Sequence, residues 1–196
     1  IARNAAEALA GLFPEHADDF RRRLADFEQR INVALYGEDL IRLVGVRTLD
    51  RYVLAGTIQE FLDTPFRGAP LRDRAGGWLA RAASLRGVAV VEYHKTWVYV
   101  AKLFGMDIAG TVEPYPGIPP GPAHIQALMD TMPQRGVRLV LLQVYYSRES
   151  AEAIAGRTGA RIVVLPTDLA EGVDSYTALM DRIVERLTQG LDGSSE

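Results

Sequence analysis

Apolar and polar positions fall into two regimes along the chain. Up to residue 87 the apolar residues recur mainly at helical spacing. From Val88 onward, short β-branched runs alternate with helical stretches. Residues 1–13 have a helical pattern that stops at Pro14, and that helix is too short to be stable alone in water. Residues 15–36 predict a long helix with Phe20, Leu24, Phe27, Ile31 and Leu35 in one stripe. Between 37 and 87 helical fragments at 39–44, 48–54 and 57–62 are punctuated by Gly45, Gly56, Pro65, Gly68 and Pro70. Gly76-Gly77 then precedes another helix at 78–85.

The second regime opens with Val88-Ala89-Val90-Val91, a run suited to a strand buried on both faces. A polar cluster, Glu92 to Thr96, follows at once. Trp97, Val98, Val100, Ala101 and Phe104 then recur at helical spacing, and Gly105 suits a helix C-cap. Further strands are expected at 106–112, 137–144 and 161–165. Pro122 is placed to start a helix over 123–134. Ser147 is a cap for a helix at 148–156, and Asp174 or Ser175 for a last helix to about Leu187. The proline-rich stretch 113–122 and residues 166–173 read as loops, because proline lacks a backbone donor and fixes φ. The expected fold is α/β: a mostly parallel sheet of about four strands with helices on both faces, preceded by a long helix and a helical insertion.

Composition narrows the chemistry. A chain of 196 residues with 48% hydrophobic residues can bury a sizeable core, and a net charge of -3 gives no footprint for nucleic acid. Arg21-Arg22-Arg23 reads as a solvated helix face. The absence of cysteine excludes disulfides, thiolate metal sites and cysteine nucleophiles. No apolar run is long enough to span a bilayer. The chain opens in mid-helix without Met, signal peptide or lipobox, so it reads as a piece of a longer protein.

No phosphate-binding glycine loop, dinucleotide fingerprint, nucleophile elbow or H-E-x-x-H motif is present, which counts against the common α/β enzyme classes. What remains is a set of loops that follow strands: His94, Glu113, Gln143 with Tyr145 and Tyr146, and Asp168. The carboxyl edge of an open α/β sheet is where ligands bind. His94 and Asp168 come from two strand ends and supply an imidazole and a carboxylate, a donor pair suited to a divalent transition metal. Two ligands fall short of the four of a closed tetrahedral site. Asp168 serves equally as a turn residue. Glu113, before Pro114, reads as a carboxylate that fixes its loop, Asp174 as a helix cap, and His16 and His124 as exposed bystanders. Trp97, Tyr99 and Tyr145 read as core or cleft wall.

Several segments together resemble a known family: Tyr93-His94, the Phe104-Gly105 helix end, Glu113-Pro114 with Pro119-Pro120-Gly121-Pro122, Thr158-Gly159-Ala160, and the helix from Tyr176. The chain is similar to the zinc- and manganese-type (cluster A-I) solute-binding proteins of ABC transporters, along nearly its whole length. That resemblance implies two α/β lobes joined by a long helix, with the metal held between them. It makes residues 1–36 the end of the amino-terminal lobe and the inter-lobe helix, 37–87 a helical connection, 88–190 the carboxy-terminal metal-binding lobe and 191–196 a polar tail. By the same resemblance His94 is the third metal ligand and Asp168 the fourth, and the first two lie in a lobe this sequence lacks. Many relatives carry an acidic residue where this chain has Gln143. The implied cargo is zinc or manganese, and the implied partners are a membrane ABC permease and a metallochaperone. The implied location is periplasmic, or extracellular and surface-anchored, and the implied role is binding without catalysis. The rival readings are an α/β enzyme with His94 as general base and Asp168 as its orienting acid, and a metal-free interaction domain.

Overall fold

In the computed structural model, residues 1–115, 118–146, 148–169 and 173–193 are described. The expected Ser147 cap lies outside them, as do parts of the proline-rich loop, of the loop before the last helix and of the polar tail.

The stripe on the long helix explains its two attachments. Helix α1 (Ala2–Leu12) ends at Pro14 and folds back on α2 (Ala17–Tyr36) through a 3-10 turn at Pro14–His16. Phe20, Leu24 and Phe27 of α2 line a groove with Ala2, Ala5 and Leu9 of α1. One helical surface later, Ile31, Ala34 and Leu35 pack against the main core. Arg21, Arg22 and Arg23 are exposed and pair with Asp18 and Asp19.

The punctuated segment forms α3 (Glu38–Val44), α4 (Val46–Ala55) and α5 (Ile58–Leu62). A tight hairpin of β1 (Pro65–Phe66) and β2 (Ala69–Pro70) follows, then a 3-10 turn at Leu71–Arg74. That hairpin was not expected from the sequence, where Pro65, Gly68 and Pro70 read only as punctuation between helical fragments. The helix expected at 78–85 is broken: α6 (Gly77–Arg81) is followed by a separate 3-10 turn at Ala83–Leu85. Leu40, Leu49, Ile58, Leu62, Leu71, Trp78 and Leu85 share one core with the sheet, so the segment is packed onto the α/β unit. Trp78 Nε1 donates to Asp181 Oδ1 at 2.9 Å, tying α6 to the last helix, and Arg81 pairs with the same carboxylate.

Four strands form the main sheet: β3 (Ala89–Glu92), β4 (Asp107–Thr111), β5 (Leu139–Gln143) and β6 (Arg161–Leu165), in the order β4-β3-β5-β6. Every neighbouring pair is parallel. Crossovers run through α7 (Val98–Phe104), α8 (Pro122–Gln134) and α9 (Glu149–Thr158), and α10 (Tyr176–Asp192) closes the described fold. Side chains alternate across the sheet as the strand period requires. Val90, Leu139, Leu141, Val163 and Leu165 meet α10 through Met180, Ile183, Val184 and Leu187. Ala89, Val91, Val140 and Leu142 face the other way onto Leu128 and Met132 of α8 and Ile154 of α9. Both faces are therefore covered, which is why β3 and β5 read as unbroken apolar runs. The last helix runs five residues beyond its expected end, to Asp192, so the supposed polar tail begins as helix. Its cap is Ser175, whose hydroxyl accepts from the Ala178 N–H at 3.2 Å, and not Asp174. Among the described residues no helix is long and apolar enough to cross a membrane.

Candidate metal centre

The loops after β3 and β4 are tied together by backbone before any side chain acts. The Tyr93 N–H donates to the Leu141 carbonyl at 2.8 Å, and the Tyr93 carbonyl accepts from the Glu113 N–H at 2.8 Å. Parallel pairing thus continues one residue past β3 and two past β4, and sets residues 93–94 beside residue 113. The turn that follows is fixed by Thr96 N–H to His94 O at 2.7 Å, and by Trp97 N–H to Glu92 Oε2 at 2.9 Å. Glu92 is buried, and burial pushes its carboxyl above the usual range against the pull of the Trp97 and Thr96 N–H groups.

On this frame His94 Nε2 stands 2.8 Å from Glu113 Oε2. Both residues are only 8% exposed, a degree of burial that ionisable side chains tolerate when paired. Tyr146, in the loop after β5, packs beside the histidine: its ring stacks on Tyr93 at 4.7 Å and lies 4.8 Å from the imidazole. Burial, with the charges of Tyr145 and Glu113 behind it, pushes the Tyr146 phenol up. A pocket of about 270 Å³ opens here, lined by His94, Lys95, Thr96, Pro114 and Tyr146.

Gln143 ends β5 fully buried, and its amide nitrogen donates to Thr96 Oγ1. Its Oε1 and the Trp97 Nε1 have no hydrogen-bond partner among the described residues. Asp168, three residues past β6, is exposed. The sheet order puts β5 between β3 and β6, so the partner at His94 is Glu113 from the adjacent strand and not Asp168. Among the described residues no three His, Cys, Asp or Glu side chains gather into a metal cluster.

Other sequence expectations separate in the same way. Trp97 is core at 3% exposure, whereas Tyr99 and Tyr145 are exposed at 85% and 62% and are not core. His16 is exposed as expected. His124 is half-buried and contacts the Thr111 carbonyl through Nε2 at 3.0 Å, so it braces α8 against the end of β4 and is no exposed bystander. The contact Glu113 makes was not legible locally, since it depends on which strand lies beside β3.

The family model described as zinc-uptake complex component A, periplasmic, matches residues 73–190, more than half of the chain. The chain belongs to that family. Its members are solute-binding proteins, and the resemblance read from the loops stands. Solved structures agree in fold. The solute-binding protein FpvC from Pseudomonas aeruginosa, in complex with Mn2+, matches at TM-score 0.58 and 19% identity, covering 97% of this chain and 58% of that one. The Mn-bound periplasmic metal-binding protein from candidatus Liberibacter asiaticus matches at 0.60 and 15%, with 97% and 58% covered. The laminin-binding protein Lbp of Streptococcus pyogenes matches at 0.60 and 20%, with 96% and 58% covered. The chain spans 58% of the length of these relatives. A search of curated proteins finds no match.

Proposed function

We propose that this chain carries part of a binding site for a divalent transition metal, zinc or manganese, delivered as cargo to a membrane ABC permease outside the cytoplasm. One observation carries the reading. A buried imidazole sits against a carboxylate at the carboxyl edge of a parallel sheet, beside an open pocket, in a chain of this family. His94 is the anchoring ligand, since neutral imidazole suits zinc and its neighbours in the transition series. Asp168 is the second proposed ligand, reached from the exposed loop after β6. In this reading residues 1–36 lead in from a second lobe, 37–87 form the connection and 88–190 the metal-binding lobe. Remaining donors come from the part of the relatives' length that this chain does not span. No catalysis is assigned, and His94 is paired with Glu113.

Calorimetric titration of the chain with zinc and with manganese tests the reading. The expected result is a single weak site, because few protein donors leave positions open to water. His94→Ala abolishes it, and Asp168→Ala weakens it by a smaller factor. Binding that is unchanged in both variants would sink the proposed site.

A further inference from the structure

Resting on the metal-binding reading, we infer that Glu113 is itself a ligand, and that His94 and Glu113 together form the inner half-site. Glu113 Oε2 already occupies the space an ion needs, 2.8 Å from His94 Nε2. Nε2 is the tip of the imidazole. His94 lines the pocket through which an ion would arrive, and this nitrogen is the one that faces the Glu113 carboxylate. Such an ion has two courses. It can displace the carboxylate, which strands a buried negative charge without a partner at a cost that buried ions do not recover. Or it can enter between the two groups and take both. Metal–nitrogen and metal–oxygen bonds of about 2.1 Å at a tetrahedral angle put the ligand atoms about 3.4 Å apart. The pair therefore opens by roughly half an ångström, a small side-chain adjustment, to admit an ion of that coordination.

The backbone supports the same assignment. The Glu113 N–H donates to the Tyr93 carbonyl at 2.8 Å, so this carboxylate starts from a main-chain position locked to that of the histidine. Asp168 lies in an exposed loop and has no such tie among the described residues. The amide of Gln143 is engaged with Thr96 through its nitrogen and carries no charge, so Glu113 is the anionic donor the sheet edge holds ready. Two neighbouring strands, β3 and β4, thus supply one nitrogen and one oxygen ligand to the same ion.

Glu113→Gln keeps the shape and a hydrogen bond to His94 but removes the charge, and Glu113→Asp keeps the charge. Zinc affinity by calorimetry and the visible spectrum of the cobalt(II)-loaded chain are the readouts, with folding of each variant checked by thermal melting. The inference predicts that Glu113→Gln loses at least tenfold in zinc affinity and shifts the cobalt bands, and that Glu113→Asp recovers part of both. Lost affinity with unchanged cobalt bands would make Glu113 an orienting partner of His94 and overturn the inference, as would zinc affinity equal to the parent's. Undiminished binding in His94→Ala, or no binding by the parent chain, would defeat the metal-binding reading itself and this inference with it.

Discussion

Tyr36 shows how much a single side chain can hold. It is 1% exposed at the end of α2, and its hydroxyl donates to Asp50 Oδ1 at 2.8 Å, joining the long helix to α4. Burial first, then the Asp50 hydrogen bond and charge, raise this phenol well above its ordinary value of 10.0. A folded-state value raised in this way contributes stability that is complete below the ordinary phenol range. It is lost as pH rises, because the unfolded chain then releases a proton that the folded one keeps. Tyr36→Phe is expected to cost about 1 kcal/mol near pH 8, the usual worth of a buried hydrogen bond. The gap to the parent should close above pH 10.0, measured by urea unfolding across that range. A gap that stays constant with pH would contradict this account. At the same scale, His94 was legible because a buried strand, a polar cluster and a helix follow one another in only a few residues. Glu113 looked like a residue that fixes a loop, since nothing local shows that β4 lies beside β3. Tyr99 read as core or cleft wall, but it is exposed on α7, whose Ala101 and Phe104 are buried.

Among the elements, helices were the most legible where Pro or Gly marked an end: Pro14 after α1, Pro122 at the start of α8, and Gly105 after α7 with φ 72°. Caps were less so, and Ser175 won over Asp174 because its hydroxyl reaches the Ala178 N–H. The segment after α2 was hardest to read, since its short pieces are held by contact with distant elements and not by their own periodicity. The junction of α2 and α6 is an example. The Gly76 N–H donates to the Tyr36 carbonyl at 2.8 Å, and the backbones pass so closely that a Cβ on Gly76 would lie 2.8 Å from the Gly37 Cα. Gly76 has φ -126°, a conformation alanine adopts freely, so the obstacle there is purely steric. Gly76→Ala should lower stability by about 2 kcal/mol, the range for overpacking a closed contact. An unchanged urea midpoint would show that the junction yields more easily than the structure implies.

For the whole molecule, the parallel sheet and its two helical layers followed from alternation of strand and helix, and the strand count was correct. The order β4-β3-β5-β6 did not follow, and that order decides which loops meet. It places His94 and Glu113 at neighbouring strand ends, with His94 lining the pocket, and leaves Asp168 one strand further out. The most direct test uses the fact that the chain has three histidines in three settings: His16 exposed, His124 braced on Thr111, and His94 against Glu113. Zinc can be titrated into the isotopically labelled chain while the imidazole ring signals are followed by nuclear magnetic resonance. The account predicts that the His94 signals move or exchange first and saturably, with those of His16 and His124 unchanged at the same zinc concentration. Movement at His16 or His124 while His94 stays fixed would contradict it.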